Sequence, residues 1–345
     1  MAAISILEAT SMAEATPKES ISTLEPKPVI VKEVWAENLE FELWQIREII
    51  GFYPVVTIDT EFPGTIYKRS SDKNLNNNPP YNYDLMKANV DDLKIIQLGL
   101  TLSDFDGNLP SFGSSFSYIW QFNFCDFDID EDPHDPDSIQ LLRHQGIDFE
   151  KNKEKGIPSS YFGRLFLRFG ILSKVPLTWL TFHGGYDFAY LIKILSGEEL
   201  PCDLVSFVDQ LWYYFGAQVY DLKTVMSRYN FYGGLENLAK KLRVKRVAGR
   251  SHQAGSDSLL TMQTFMELKQ QCFADEFELT MEKGKWTGFE WELYGLKVVV
   301  LLDCHGQVYT ICDSDWFDLV LCGGRDWKEL NLVDSHGQIV YILGY

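Results

Sequence analysis

Asp59 and Glu61 stand two residues apart in the apolar run PVVTIDTEF, residues 54–62. Side chains alternate along a strand, so an extended run puts both carboxylates on one face. Like charges held together out of water are costly unless a cation joins them, and hard divalent ions such as Mg2+ take oxygen ligands of this kind. A solvent-facing strand edge would hold the same pair without an ion, but the residues on both sides of the pair are apolar. Asp187 lies in FHGGYDF, between the strand-like TWLTF and the apolar FAYLIKIL. An Asp at such a junction either caps the helix or is presented at the carboxyl end of the strand, where α/β folds bind ligands. Gly184 and Gly185 permit close backbone approach there. In HQAGSD, His252 precedes Asp257 by five residues, and a turn at Gly255 can bring both to one cavity. Asp257 could equally cap the helix that follows, and His252 could be an ordinary surface or core histidine, so the specificity lies in the set.

Four carboxylates and one imidazole suit two-metal hydrolysis of a phosphodiester. Asp59 would be shared by two cations roughly 3.5–4 Å apart, held also by Glu61, Asp187 and Asp257. One ion would lower the pKa of a bound water, the other would stabilise the leaving 3′-oxygen, and both would offset charge developing on the phosphate. An imidazole ordinarily titrates near neutrality, which suits His252 to the part of general base. Oxygen ligands serve Mg2+ and Mn2+ alike.

Strands and helices must alternate to position these groups. Residues 1–30 mix Ala, Ser, Thr, Glu and Pro without periodicity and read as a disordered tail. Trp35, Leu39, Leu43, Ile46 and Ile50 recur at helical spacing, and Gly51 stops that first helix. Residues 54–62, 93–102 and 118–124 read as three strands of an antiparallel or mixed sheet. Between the first two, Pro79–Pro80 belong to a polar loop and residues 83–89 to a short helix. Helices are predicted over 137–145, 160–173, 187–196, 203–215, 235–242 and 256–271, with extended segments at 178–182 and 219–222. Helices that follow strands make the class α/β. After about residue 280 the tripeptides His305–Gln307 and His336–Gln338 each precede an apolar run, predicting turns into strands. The domain reading is a tail at 1–30, one α/β domain at 31–280, and an extension at 281–345 that packs on it or forms a small appendage.

The 345 residues are 46% hydrophobic, which supports a sizeable core and argues against global disorder. A formal net charge of -18 repels free nucleic acid at long range, so such a substrate needs metal ions, a local basic patch or a partner that delivers it. The same charge would also keep a soluble monomer apart. Lys240, Lys241, Arg243, Lys245, Arg246 and Arg250 form the densest basic stretch and lead to His252. They either neutralise backbone phosphates there or form a solvated helix end and loop. Phe62 and Phe188, beside the carboxylates, are candidates for stacking on the bases of a single strand, the plainer role being core packing. The six cysteines include no CxxC pair and read as reduced thiols of an intracellular protein, and Cys304, Cys312 and Cys322 near His305 fit no common zinc spacing. The run Val298–Leu302 is five residues long, far below the ~20 of a membrane span. No membrane association and no secretory signal are expected.

VTIDTEFPG, LKIIQLGLTLSD, WQFNF, FHGGYDFAYLIKIL and HQAGSDSLLT together resemble the DEDD-type exonucleases, and within them the Caf/Pop deadenylase family, catalytic subunits of the Ccr–Not complex. The resemblance covers about residues 31–275, and its wording points to a plant member. It implies an RNase H-like fold, a mixed central sheet flanked by helices. It implies that Asp59, Glu61, Asp187 and Asp257 are the four acidic residues of the motif, with His252 as the histidine of the subtype that carries one, and two Mg2+ or Mn2+ ions as cofactors. It further implies a 3′→5′ exoribonuclease that acts on single-stranded poly(A) RNA and releases 5′-AMP. Such a subunit docks on a large Not-type scaffold beside a second deadenylase of a different fold, in the cytoplasm and nucleus. The chain departs from the family in carrying Gly184 where Ser is usual, which removes a hydroxyl but no metal ligand, and in losing the pattern after about Cys272. Two other readings stay open: a catalytically weak adaptor of the same complex, and a related nuclease for DNA or generic RNA 3′ ends. The presence of all five chemical positions favours an active enzyme.

Overall fold

A computed structural model describes residues 27–76, 78–216 and 218–272, residues 293, 294 and 296, and the strand segments 298–302, 308–312, 332–333 and 339–340. Six strands form one mixed sheet: β1 (Val29–Val34), β2 (Val55–Glu61), β3 (Gln97–Ser103), β4 (Ser117–Asn123), β5 (Thr178–Thr181) and β6 (Val219–Asp221). Their order is β1-β4-β3-β2-β5-β6. β2, β3 and β4 pair antiparallel, β1 lies parallel to β4, and β5 and β6 continue parallel to β2. The helices among the described residues are α1 (Leu39–Ile49), α2 (Lys73–Asn76), α3 (Pro79–Asp92), α4 (Pro136–His144), α5 (Phe149–Lys155), α6 (Ser159–Arg168), α7 (Gly185–Ser196), α8 (Leu204–Phe215), α9 (Leu222–Arg228), α10 (Leu235–Lys241) and α11 (Ala254–Cys272).

Helices cover both faces of the sheet, which is why its central strands read as near-continuous apolar runs and β3 is buried at every position. Val56, Ile58, Leu98, Leu100, Trp120 and Phe122 pack with apolar residues of α1, α3, α6, α7 and α8. Val55, Ile119, Leu180 and Tyr220 pack on the other face with residues of α9, α10 and α11. Alternation therefore puts Asp59 and Glu61, odd-numbered like Val55, on the α11 side of β2, and Thr60 on the α7 side. No helix among the described residues is long and apolar enough to cross a membrane. Among the described cysteines, Cys125 and Cys202 are free thiols.

Several elements differ from the sequence reading. Val29 and Ile30, assigned to the tail, open β1, and the first helix begins at Leu39 rather than at Trp35. β1 is an edge strand whose partner, Ser117–Phe122, lies far along the chain, so no local pattern announces it. Pro79–Pro80 start α3 instead of extending a loop: a proline ring fits the first helical turn, and the Asn78 side chain accepts the Tyr81 N–H as a cap. The polar α5 was not foreseen; Asp148 caps it by accepting from the Lys151 N–H. In the extension, β7 (Val298–Leu302) pairs antiparallel with β8 (Val308–Cys312), and β9 (Leu332–Val333) with β10 (Ile339–Val340). Each HGQ tripeptide directly precedes a strand, β8 or β10. Residues 1–26 and the side chains of Cys304, Cys312 and Cys322 lie outside the described residues.

Candidate active site

Two of the four carboxylates, Glu61 and Asp257, meet with His252 at the end of β2, while Asp59 and Asp187 lie outside that group and act on it through their charge. Glu61, His252 and Asp257 each offer a ligand atom within 4.8 Å of the others. The backbone of His252 sits at φ 57, and its N–H donates to Asp257 Oδ2 at 2.9 Å, so the turn is tied to the helix it enters. Asp187 arrives from the neighbouring side. β5 stops at Thr181, and its pairing with β2 ends at Thr57↔Leu180, so the first turn of α7 comes to lie beside the last residues of β2. There the Thr60 hydroxyl donates to Asp187 Oδ1 at 2.5 Å. The side chain of Asp187 does not cap α7, whose N-cap is Gly184. A Cβ at position 184 would fall 2.1 Å from Thr181 Oγ1 and 2.5 Å from Thr181 Cβ, so a side chain there would need Thr181 to shift.

The site is crowded with negative charge. Burial first, then the charges of Asp187, Asp257 and Glu61, hold the Asp59 carboxyl well above its usual range. Burial, Asp257 and Asp187 do the same to Glu61. Burial lifts Asp187 to about 7 against the opposing hydrogen bond from Thr60, and lifts Asp257 against the opposing charge of Arg246. Arg246 pairs with Asp257 Oδ1 at 2.5 Å and also with Glu236. A buried set of hard oxygen donors and one imidazole, with more negative charge than this one guanidinium offsets, fits Mg2+ or Mn2+.

A stability profile follows from these shifts. Each carboxyl is raised above its unfolded value, so the folded chain binds more protons than the unfolded one between the two values. The associated stability is complete at acid pH and is lost as pH rises through the folded pKa. For Asp187 the window runs from the ordinary aspartate range up to about 7. In EDTA the melting temperature should therefore fall as pH is raised from the aspartate range to neutrality, and saturating Mn2+ should remove most of that fall. Thermal denaturation followed by circular dichroism, with and without Mn2+, checks it; a flat profile in EDTA would contradict the electrostatic reading.

The remaining sequence candidates divide. Lys245 and Arg250 are exposed beside the turn that carries His252, whereas Arg246 is half-buried and already bonded to Glu236, Ser256 and Asp257. Arg246 thus shapes the carboxylate group rather than standing free for phosphate. Phe62 is partly buried and stacks on Tyr186 with ring centroids 5.0 Å apart. Phe188 must be withdrawn as a stacking surface. It is 0% exposed and packs edge-on to Phe215 in the core, because its position on α7 faces the helix layer.

Some positioning residues escaped the sequence reading. The α11 N-terminus presents its first N–H groups to the sheet, where Gln121 Oε1 accepts from Gly255 at 3.1 Å and Gln97 Oε1 lies 3.5 Å from the Ala254 nitrogen. Gln97 Nε2 in turn donates to Asn123 Oδ1 at 2.7 Å, and Glu33 on β1 receives Gln121 at 3.1 Å and Asn123 at 2.8 Å. This network joins β1, β4 and β3 to the helix that carries Asp257. The signal was present as glutamines and an asparagine within strands otherwise apolar, LKIIQLG and WQFNF. Gln121→Leu should destabilise the fold by about 1–3 kcal/mol, because it strands the Gly255 N–H in a buried place; the midpoint of urea denaturation measures it.

A mixed sheet in this strand order, with acidic residues gathered at the end of its central strand, is the RNase H-like architecture found in nucleases. The family model for CAF1 family ribonucleases matches residues 34–164. A probable CCR4-associated factor 1 homolog 10 of Arabidopsis thaliana is 47% identical over 277 residues, 80% of this chain and 95% of that one. The solved structure of Schizosaccharomyces pombe Pop2p in its Mg2+ and Mn2+ bound form is 40% identical, with a TM-score of 0.67, over 77% of this chain and 99% of that one. A CAF1 chain co-crystallised with the yeast NOT1 MIF4G domain is 35% identical, with a TM-score of 0.56, over 70% of this chain and 88% of that one. The chain belongs to the CAF1 family of ribonucleases.

Proposed function

We propose that this chain is an active 3′→5′ exoribonuclease that shortens poly(A) tails by two-metal hydrolysis and releases 5′-AMP, as the catalytic subunit of a Ccr–Not-type complex in the cytoplasm and nucleus. The observation that carries the reading is the meeting of Glu61, His252 and Asp257 beside Asp59, with Asp187 tied to the same strand end through Thr60. The S. pombe relative named poly(A) ribonuclease pop2, 40% identical over 272 residues, supports the substrate class. The NOT1 co-crystal of the yeast relative supports docking on a Not-type scaffold. A second deadenylase of a different fold completes the proposed assembly.

Asp59, Glu61, Asp187 and Asp257 would hold two divalent cations, Mg2+ or Mn2+. When bound, such a pair supplies an activated water and stabilises the leaving 3′-oxygen. The chain's own groups do the rest. His252, exposed at the mouth of the group, takes the proton of the attacking water. Thr60 fixes the carboxylate of Asp187, and Arg246 holds that of Asp257. Lys245 and Arg250 would neutralise backbone phosphates on an otherwise acidic protein, and the partly buried Phe62–Tyr186 stack offers an aromatic surface for a terminal base.

The test compares 5′-labelled oligo(A), oligo(U) and single-stranded DNA of equal length, with Mg2+ or Mn2+. Stepwise shortening of oligo(A), with 5′-AMP released and the other two strands shortened far more slowly, is the expected result. Oligo(A) left intact would favour the adaptor reading, and equal shortening of all three a general nuclease.

A further inference from the structure

Asp221 ends β6, is buried, and belongs to none of the groups given a role above. Its two oxygens receive four backbone N–H groups from three separate stretches of chain. Oδ1 accepts from His183 at 2.7 Å and from Lys223 at 2.9 Å. Oδ2 accepts from Gly184 at 3.1 Å and from Tyr294 at 2.9 Å. The bond from Lys223 is an ordinary helix cap, since Asp221 is the N-cap of α9. The other three serve a different place. His183, at φ 66, and Gly184 form the turn from β5 into α7, and Asp187 follows in the first turn of that helix. No side chain caps α7 from its own N-cap residue, so the carboxylate reaching across from β6 is what fixes the turn.

The fourth donor comes from beyond the long helix α11. Leu293 and Leu296 are buried in the main core, and Leu296 lies beside Gly185. The Tyr294 ring meets His183 edge-on with centroids 5.1 Å apart, and Lys223 Nζ stands 5.4 Å from its centre. These three residues thus lie against the far side of the same turn, where the Tyr294 N–H fills the last acceptor position of Asp221.

We propose that Asp221 is a positioning residue that sets where Asp187 lies, and that residues 293, 294 and 296 are the part of the C-terminal stretch that completes this support. The inference rests on the reading of Asp187 as a metal ligand. Partners of this kind behind a ligand change metal affinity or activity about 10–100-fold when removed.

The experiment uses the full chain. In Asp221→Asn the amide oxygen can serve one pair of N–H groups, while its NH2 faces the other pair as a second donor. Mn2+ is titrated calorimetrically without RNA, kcat and KM are measured on oligo(A), and folding is followed by circular dichroism. The expected result is a cooperatively folded protein with Mn2+ affinity weakened about 10-fold or more. Its kcat should fall with little change in KM and recover in part at high Mn2+. A lower melting temperature with Mn2+ affinity and kcat per folded molecule unchanged would overturn the proposal. Tyr294→Pro keeps the carboxylate and removes one donor, so it decides the matter should Asp221→Asn fail to fold. It should weaken Mn2+ binding in the same direction but less, and unaltered affinity would overturn the role of these residues of the C-terminal stretch. Because Mn2+ is titrated without RNA, the two readings part company in the data. Intact oligo(A) with the unsubstituted chain would count against the proposed activity, while a ten-fold affinity ratio between chain and variant would still support the positioning role.

Discussion

Asp59→Asn should end the shortening of oligo(A), with kcat lower by roughly 1,000-fold or more, a barrier increase of about 4 kcal/mol, and should at the same time raise the melting temperature of the protein in EDTA. Asp59 lies where the fields of Asp187, Asp257 and Glu61 overlap, since all three lift its carboxyl. That is the position from which one carboxylate could be shared between two cations. Asparagine keeps the shape and one oxygen but loses the charge. In the absence of metal the loss relieves repulsion among buried like charges, so the fold gains stability. In the presence of Mn2+ the variant should show a smaller thermal shift than the unsubstituted chain, because an ion that binds the native state weakly stabilises it less. Inactivity with higher stability cannot be confused with misfolding, and capture of the Not-type scaffold should be unaffected. Activity within ten-fold of the unsubstituted chain, or a lower melting temperature in EDTA, would count against a shared metal ligand at this position.

The parts of the site that could be read in advance are those written locally. Asp59 and Glu61 are two apart on a strand, and the strand's period alone puts them on one face. The junctions that carry Asp187 and His252 were visible as glycine-containing turns, the first between two apolar runs and the second between a basic run and an apolar helix. What could not be read depends on partners distant in the chain. β1 pairs with a strand almost ninety positions away, Ile30 with Tyr118, and brings Glu33 to the polar network beneath α11. Asp221 fell in the extended segment 219–222; it caps α9, a helix the sequence reading did not include, and nothing around it announces that it also holds residues 183, 184 and 294. Phe188 and Phe62 each stand next to a carboxylate in sequence, yet one is a core residue and the other a partly buried stack, a difference set by which side of the helix or strand end meets the core. The basic run before His252 was legible as charge, but the salt bridges that occupy Arg246 come from Glu236 and Asp257, on two different helices. Pro79–Pro80 show the opposite failure: a local rule that proline breaks structure was applied where a second rule, that proline opens helices, governs.

Gly99→Ala should cost the fold about 3 kcal/mol, at the upper end of what overpacking usually does, and should lower activity further than that loss of stability explains. Gly99 sits on β3 directly across from Asp59. A Cβ built there would fall 1.9 Å from the Ala254 carbonyl oxygen, 2.1 Å from its carbon and 2.5 Å from the Gly255 nitrogen. All three are backbone atoms, so no side chain can rotate away and the whole N-terminus of α11 must lift from the sheet. Lifting it stretches the bonds that the Gly255 and Ala254 N–H groups donate to Gln121 and Gln97, and carries His252 and Asp257 away from Glu61, which β2 holds in place. Gly234 supplies the control, because it lies at the N-cap of α10 with nothing within 4 Å of a Cβ at that position. Gly234→Ala should change stability by about 1 kcal/mol or less, as loss of a glycine cap does. Urea denaturation of both variants, paired with Mn2+ titration, separates the two effects. For Gly99→Ala the midpoint should drop and Mn2+ affinity should fall together, whereas Gly234→Ala should leave Mn2+ affinity alone. A Gly99→Ala protein as stable as its parent, with the same Mn2+ affinity, would mean that contact between helix and strand is not what brings the two halves of the site together.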